Sequence, residues 1–303
     1  MDFLINNSKV FIKNKEYVSR IINVLSNDGA KNLTVISDFD YTISRFRDDN
    51  GNQNLTTHQL FKKGTEISNP NLGPKLSKLF DKYFPIEFSN DLTIKEKIPH
   101  MEEWWNLSHG AIIDEKLDYD FIVNIIKSNK LEYRYKFCEL VKRLNYLNVP
   151  FVIFSAGIGD VIDIYLRKQI KLIEKNIYII SNSMIFNNDN ICVGFSEPLI
   201  HTFSKNSSVI KKSDPLRNVV KDRKNVLLMG DSFGDITMEV NSERKGNTLK
   251  VGFLNIIDNN LLEKYMNFYD IVCVDDQTMD VPFYIIKIIE NGVYVEEMYN
   301  VVI

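Results

Sequence analysis

Leu33-Thr-Val-Ile-Ser-Asp38-Phe-Asp40-Tyr-Thr42 is a short apolar run that ends in two aspartates separated by one residue. Its length and composition predict a buried strand. Residues i and i+2 of a strand point to the same side, so Asp38 and Asp40 should stand together at the carboxyl end while Phe39 turns into packing. Two crowded carboxylates repel unless a cation lies between them or one keeps its proton. Chemistry can use either state. The same D-x-D pattern also suits a solvated turn, so the rest of the chain has to decide.

Other β-rich runs follow at Pro150–Ser155, Ile177–Ser181, Asn225–Gly230, Lys250–Leu254 and Asp270–Val274, with helix-length segments such as Asp160–Lys175 and Asp258–Tyr269 between most of them. Strands that lack polar alternation and alternate with helices predict a parallel sheet covered on both faces. Met184–Gly194 departs from this pattern and predicts a hairpin beside the sheet. Well over a hundred residues separate Asp38 from Ser155, far beyond an ordinary βα loop. Helical patterns fill that gap at Pro74–Phe84, Thr93–Ile113, Tyr119–Lys130 and Tyr135–Asn148, the last of them placed to lead back into the second strand. The organisation expected is a discontinuous α/β core, 1–47 and 131–303, with a helical insertion at 48–130. Ligands of open α/β sheets bind outside the strand carboxyl ends. The insertion should therefore sit over Asp38 and Asp40.

With 44% apolar residues the chain can form a sizeable core, which excludes a disordered class. A net charge of −3 gives no reason to expect a nucleic acid polymer as partner. Cys138, Cys192 and Cys273 are odd in number and set among apolar neighbours, as expected of buried thiols in a reducing compartment. The first residues lack a signal-peptide core, and no run approaches the ~20 apolar residues of a membrane span. A cytoplasmic protein, monomeric or weakly homo-oligomeric and free of membrane, is the expectation. His58, His100, His109 and His201 lack metal-ligand spacing, so a zinc site is unsupported.

Three further elements bear on chemistry. Phe154-Ser155-Ala-Gly157-Ile-Gly159-Asp160 joins a buried strand to a helix, where the Ser155 hydroxyl and the N–H groups of Ala156 and Gly157 suit a phosphate oxygen. Many α/β proteins need glycine at that junction for geometry alone. Lys205, in His201-Thr-Phe-Ser-Lys205, is a loop lysine of a kind that is usually just exposed. Met229-Gly-Asp231-Ser-Phe-Gly234-Asp235 ends another strand, and its aspartates fit either a metal site or a solvated turn. In this order, strand–D-x-D-x-T, strand–Ser, loop Lys and strand–G-D-x-x-G-D together resemble the haloacid-dehalogenase superfamily of phosphohydrolases. Val35–Phe46, Lys82–Glu87, Met101–His109, Ile153–Val161 and Glu263–Asp270 narrow the likeness to the cytosolic type III 5′-nucleotidases, the pyrimidine 5′-nucleotidase family. The similarity runs from about Val35 to Val274.

The resemblance implies a Rossmann-like parallel-sheet core with an inserted helical cap domain, and hydrolysis of nucleoside 5′-monophosphates (CMP, UMP and 7-methyl-GMP) to nucleoside and phosphate. A phosphate dianion repels a carboxylate, so Mg²⁺ is needed before Asp38 can attack phosphorus. Oxygen ligands fit that ion: Asp38, Asp231 and, as the resemblance implies, the Asp40 carbonyl, with Asp235 acting through a metal-bound water. Asp38 would form an aspartyl-phosphate, Asp40 would act as general acid and base, and Ser155, Ala156 and Lys205 would hold the phosphoryl group. By resemblance, Glu87 and Ser108 line the base pocket and Trp105 stacks opposite His58. Tryptophan at that position is similar to relatives that accept 7-methylguanosine monophosphate, whose cationic base gains cation–π attraction over indole. Two rival readings are a phosphatase of the same fold for another small phosphomonoester, and a nucleotide-binding protein without turnover.

Overall fold

The computed structural model describes residues 1–292 except 88, 90, 129–130, 211–213, 239 and 241–244, and leaves out the side chains of 67 and 68. In chain order the elements are α1 (Asp2–Ile5), β1 (Val10–Phe11), α2 (Lys15–Asp28), β2 (Leu33–Ser37), α3 (Thr57–Ser68), α4 (Leu72–Glu87), α5 (Ile94–Asp114), α6 (Tyr119–Ser128), α7 (Phe137–Tyr146), β3 (Phe151–Ile158) and α8 (Gly159–Ile164). There follow β4 (Ile177–Asn182), β5 (Met184–Phe186), β6 (Cys192–Phe195), α9 (Pro215–Val220), β7 (Asn225–Gly230), β8 (Thr248–Leu254), α10 (Asn259–Phe268), β9 (Ile271–Val274) and α11 (Asp280–Asn291). Among the described residues the main sheet has the order β1-β9-β8-β7-β2-β3-β4. Only its β1–β9 edge pair is antiparallel; the other pairs are parallel. β5 and β6 form the expected hairpin.

Burial on both faces explains why the strands lack alternation. Leu33 and Val35 of β2 belong to one apolar cluster, with α2, α7, α8 and α11. Ile36 points the other way, into a second cluster with Val152, Phe154 and Leu228. Leu60, Phe61, Leu76, Ile112 and Ile122 from α3 to α6 join the first cluster, so the helices between β2 and β3 share a core with the sheet. A small separate cluster of Tyr83, Met101 and Trp104 holds α4 to α5.

Several elements depart from the sequence reading. α2 and α11 were not foreseen, although Val18, Ile21, Ile22 and Leu25 are buried at helical spacing, and Asn14 caps α2 by accepting the Tyr17 N–H at 2.9 Å. α3 also went unread, yet Thr56 and Gln59 form a reciprocal capping box at its start. The helix expected over Asp160–Lys175 is shorter. After α8 the chain widens into a π-turn over Tyr165–Gln169, where Ile170 N–H reaches back to Tyr165 O at 3.0 Å, and Lys171 at φ 55° stops it. Of the helix expected over Tyr119–Lys130, residues 129–130 lie outside the described residues. Among the described residues, no helix is long and apolar enough to cross a membrane.

Candidate active site

Three neighbouring strands deliver the site. Ser37 of β2 is in register with Met229 of β7 on one side and Ile153 of β3 on the other. The residues that follow (Asp38, Asp231 and Ser155) therefore collect at one end of the sheet. Asp38 N–H donates to Met229 O at 3.0 Å, which ties the two strand ends together. Phe39 is fully buried and meets Tyr165 edge-on with ring centroids 6.0 Å apart. β2 ends at Ser37, so Asp38, Phe39 and Asp40 lie just past the strand and not within it.

Asp38, Asp231 and Asp235 each offer a carboxylate oxygen within 4.8 Å of the others. Lys205 is buried among them, its Nζ donating to Asp38 Oδ1 at 2.5 Å and Asp235 Oδ1 at 2.7 Å. The other Asp235 oxygen accepts the Ser232 N–H at 2.9 Å, the Ser232 hydroxyl at 2.8 Å and the Asp231 N–H at 3.2 Å. Asp235 thus knots the turn that aims Asp231. A Cβ on Gly230 would sit 2.4 Å from Asp235 Cβ, so only glycine lets that turn close. The hydroxyls of Tyr265 and Tyr269 donate to the carbonyls of Asp231 and Ser232 from behind.

Burial pushes Asp38 up to about 7, against the pull of Lys205 and with help from Asp235. Asp231 is raised well above the usual carboxylate range by burial and then by Asp235 and Asp38. Burial works against the Lys205 charge, but Asp235 and Asp38 outweigh it and hold the ammonium above its ordinary value. One ammonium among three crowded carboxylates leaves the group short of positive charge. An all-oxygen, net-negative donor set of this kind suits a hard divalent cation.

Asp40 faces a different partner. Its Oδ1 accepts the Thr57 N–H at 2.7 Å and its Oδ2 the Thr57 hydroxyl at 2.6 Å. Burial raises Asp40 to about 6, opposed by those two bonds. Ser155 lies inside β3 and not past its end, and its Oγ accepts the Gly157 N–H at 3.1 Å. That N–H, expected to be free for a phosphate oxygen, is therefore already engaged. The Ala156 carbonyl receives Trp105 Nε1 and Asn182 Nδ2, each at 2.8 Å.

The remaining expected residues gather nearby. His58, Trp105, Ser108, Ala156 and Gly157 line a cavity of about 10 Å³, roughly room for one water. His58 and Trp105 lie with ring planes 28° apart and centroids 6.4 Å apart. Burial lowers His58 to about 4, which keeps the imidazole neutral. Ser108 is buried, and its hydroxyl has no partner among the described residues. Trp104, by contrast, is core, stacked on Tyr83 at 5.9 Å. Glu87 lies apart from this cavity; its carboxylate takes the Thr202 hydroxyl and is raised mainly by burial.

Two residues that pattern reading passed over sit at the centre of this arrangement. Thr57 is one, and the Thr56-x-x-Gln59 capping signature was the available signal. Arg134 is the other. Fully buried, it donates to Thr42 O at 2.7 Å, Tyr41 O at 2.6 Å and Asn255 Oδ1 at 2.8 Å, and also to Asp276 O. Its guanidinium lies 4.1 Å from the Phe253 ring centroid. Nothing in its local sequence marks it.

Residues 41–290 match the sequence profile of the family described as Pyrimidine 5′-nucleotidase (UMPH-1). A putative cytosolic 5′-nucleotidase 3 of Caenorhabditis elegans is 41% identical over 294 residues, covering 96% of this chain and 78% of its own length. The 7-methylguanosine phosphate-specific 5′-nucleotidase of Homo sapiens is 38% identical over 272 residues, covering 90% of this chain and 89% of its own. Among solved structures, cytosolic 5′-nucleotidase IIIB bound to cytidine superposes with a TM-score of 0.88 at 32% identity, covering 95% of this chain and 96% of that one. A probable phosphoserine phosphatase from Vibrio cholerae shares the fold at a TM-score of 0.53 and 11% identity.

Proposed function

This chain belongs to the pyrimidine 5′-nucleotidase family, with a haloacid-dehalogenase fold, and is a 5′-nucleotidase; we propose that it hydrolyses CMP, UMP and 7-methyl-GMP through phosphorylation of Asp38. The observation that carries this reading is the convergence of Asp38, Asp231 and Asp235 around Lys205 at the sheet's carboxyl edge, beside a pocket walled by His58 and Trp105. We take 48–130 as a cap over that edge, and the cytosol as the setting.

Asp38, Asp231 and the Asp40 carbonyl would hold Mg²⁺, with Asp235 fixing Asp231 and a bound water. When bound, Mg²⁺ offsets the charge of the phosphate dianion and polarises it toward attack. Asp38 supplies the attacking oxygen. Asp40 gives a proton to the departing 5′-oxygen and then takes one from the water that releases phosphate. Lys205 and Ser155 steady the phosphoryl oxygens, and loss of such a preorganised donor costs on the order of 10²–10³ in rate.

For the base, a flat ring between His58 and Trp105 needs ~7 Å, two stacking distances of about 3.5 Å. The rings now stand 6.4 Å apart around a cavity with room for about one water, so base binding would require α3 and α5 to part. Trp105 is the better partner for a cationic 7-methylguanine, worth ~0.5–2 kcal/mol over a neutral ring. The Ser108 hydroxyl would supply a polar contact in this pocket, and Glu87, now outside it on the Thr202 hydroxyl, would reach the base edge only by leaving that bond.

A panel of 5′-monophosphates, assayed for phosphate release with Mg²⁺ and with EDTA, tests this. We expect release from CMP, UMP and 7-methyl-GMP only with the metal. No turnover of 7-methyl-GMP would remove it from the list, and turnover of phosphoserine or sugar phosphates alone would favour another phosphomonoesterase of the same fold.

A further inference from the structure

We infer that Thr57 positions Asp40 to deliver its proton to the leaving nucleoside, a role that rests on the nucleotidase reading above. Both oxygens of the Asp40 carboxylate are held by this one residue, the N–H on Oδ1 at 2.7 Å and the hydroxyl on Oδ2 at 2.6 Å. Two bonds from one residue fix the plane of the carboxylate, which a single bond cannot do.

The helix end is arranged for that contact. Thr57 is the first residue of α3, where N–H groups have no partner within the helix. Thr56 and Gln59 cap each other, with the Gln59 N–H on Thr56 Oγ1 at 3.2 Å and the Thr56 N–H on Gln59 Oε1 at 3.0 Å. Capping therefore leaves the Thr57 N–H to Asp40. A second observation comes from the opposite side. A Cβ built on Gly157 would lie 2.4 Å from Thr57 Oγ1, so β3 closes against the hydroxyl and keeps it turned toward Asp40. Thr57 is fully buried between them.

The chemistry uses both donors differently. An N–H can only donate, so Oδ1 stays an acceptor and the transferable proton belongs on Oδ2. Oδ2 has a second lone pair, so the Thr57 hydroxyl can keep donating to it while the proton sits on the side that faces O5′. In the first step an Asp38 oxygen bonds to phosphorus, the P–O5′ bond breaks with its electron pair on O5′, and O5′ takes the Asp40 proton. The nucleoside leaves with a 5′-hydroxyl, and Asp40 is left as a carboxylate held by the two Thr57 donors. His58, the next residue on α3, stacks toward Trp105. One turn of helix thus touches both the base pocket and the proton donor.

The test compares two esters of the same nucleoside, the 5′-monophosphate and its analogue with sulfur as the bridging 5′-atom. A thiolate leaves without a proton far more readily than an alkoxide, while the base and the phosphoryl group are unchanged. We expect Thr57→Val to lower kcat/KM on the oxygen ester by ~10–100-fold, part of the ~10²–10⁴ that general acid catalysis contributes, and on the sulfur ester by less than about threefold. Thr57→Ser should restore most of the loss. Equal losses on both esters would reduce Thr57 to a structural or base-binding residue and overturn the inference, as would wild-type kinetics for Thr57→Val on the oxygen ester. Failure of the parent protein on both esters would overturn the nucleotidase reading, and the positioning role with it.

Discussion

Asp231→Asn is expected to stabilise the metal-free protein while abolishing turnover. The substitution removes one charge from three carboxylates whose oxygens lie within 4.8 Å of one another. Two unit charges at that spacing repel by about 3.5 kcal/mol at an effective dielectric of ~20. Protons relieve part of this near neutrality, because Asp38 is pushed up to about 7 and Asp231 well above the usual range. The realised gain for Asn should be about 1–2 kcal/mol, or about 2–4 °C in melting temperature for a chain of this size. Asparagine keeps an oxygen for the Thr42 hydroxyl, which lies 3.4 Å from Asp231 Oδ1.

The pH dependence gives the sign. Both carboxylates titrate higher folded than unfolded, so the folded state binds more protons and loses stability as pH rises, from about pH 4 through the Asp38 value of about 7 and on through that of Asp231. Below about pH 4 the penalty is absent. The variant lacks much of it, so its advantage should be larger at pH 8 than at pH 5. Thermal unfolding by circular dichroism in EDTA at both pH values measures this, and added Mg²⁺ should raise the parent's midpoint more than the variant's. A variant that melts below its parent in EDTA at both pH values would refute the claim that this triad is electrostatically strained.

Other expectations follow from the same geometry. Asp38→Asn should leave the fold intact by circular dichroism and lower phosphate release below detection; substantial steady-state activity would remove Asp38 as nucleophile. Arg134→Met should cost about 3–5 kcal/mol in urea unfolding, since it strands buried carbonyls of Tyr41, Thr42 and Asp276, and a loss under about 1 kcal/mol would show that those carbonyls find other donors. Burial lowers His109, only 9% exposed and stacked on Phe195, to about 4. The unfolded chain takes up that proton first as pH falls below ~6.5, so stability drops between about 6.5 and 4. His109→Gln should shrink the loss of unfolding free energy between pH 7 and pH 5 by about 2 kcal/mol, and an unchanged loss would place the acid sensitivity elsewhere.

What was legible in the sequence was what local pattern encodes. β7 is found at Asn225–Gly230, as read, because a strand buried on both faces is a pure apolar run with no ambiguity of period. D-x-D and G-D-x-x-G-D could be placed at strand ends for the same reason. α3 was missed because Gln, Lys and Gly interrupt its apolar stripe, leaving its capping box as the signal, whereas α2 and α11 carry legible stripes that lie outside the run of strands from which the core was read. The Gly157 N–H was misjudged because its partner, Ser155 Oγ, depends on an irregularity in the β3–β4 pairing between Phe154 and Ile158 that no composition reveals.

Arg134 and Thr57 were invisible for a deeper reason, since each acts on residues brought near only by the completed fold. Arg134 lies where the insertion returns to the sheet, and there the chain pairs with the segment after Asp40. Arg45 N–H donates to Glu132 O at 2.8 Å, Arg134 N–H to Ile43 O at 2.9 Å, and the buried Arg45 and Glu132 side chains form an ion pair. Asn255 Nδ2 adds a bond to Tyr41 O at 3.1 Å, fixing a residue at φ 58° directly beside Asp40. Asp40 is therefore gripped on its backbone side by the insertion's exit and on its carboxylate by the insertion's entry helix. Asp38 is tied separately, through its N–H on Met229 O, to β7, so the two carboxylates are held by different parts of the fold.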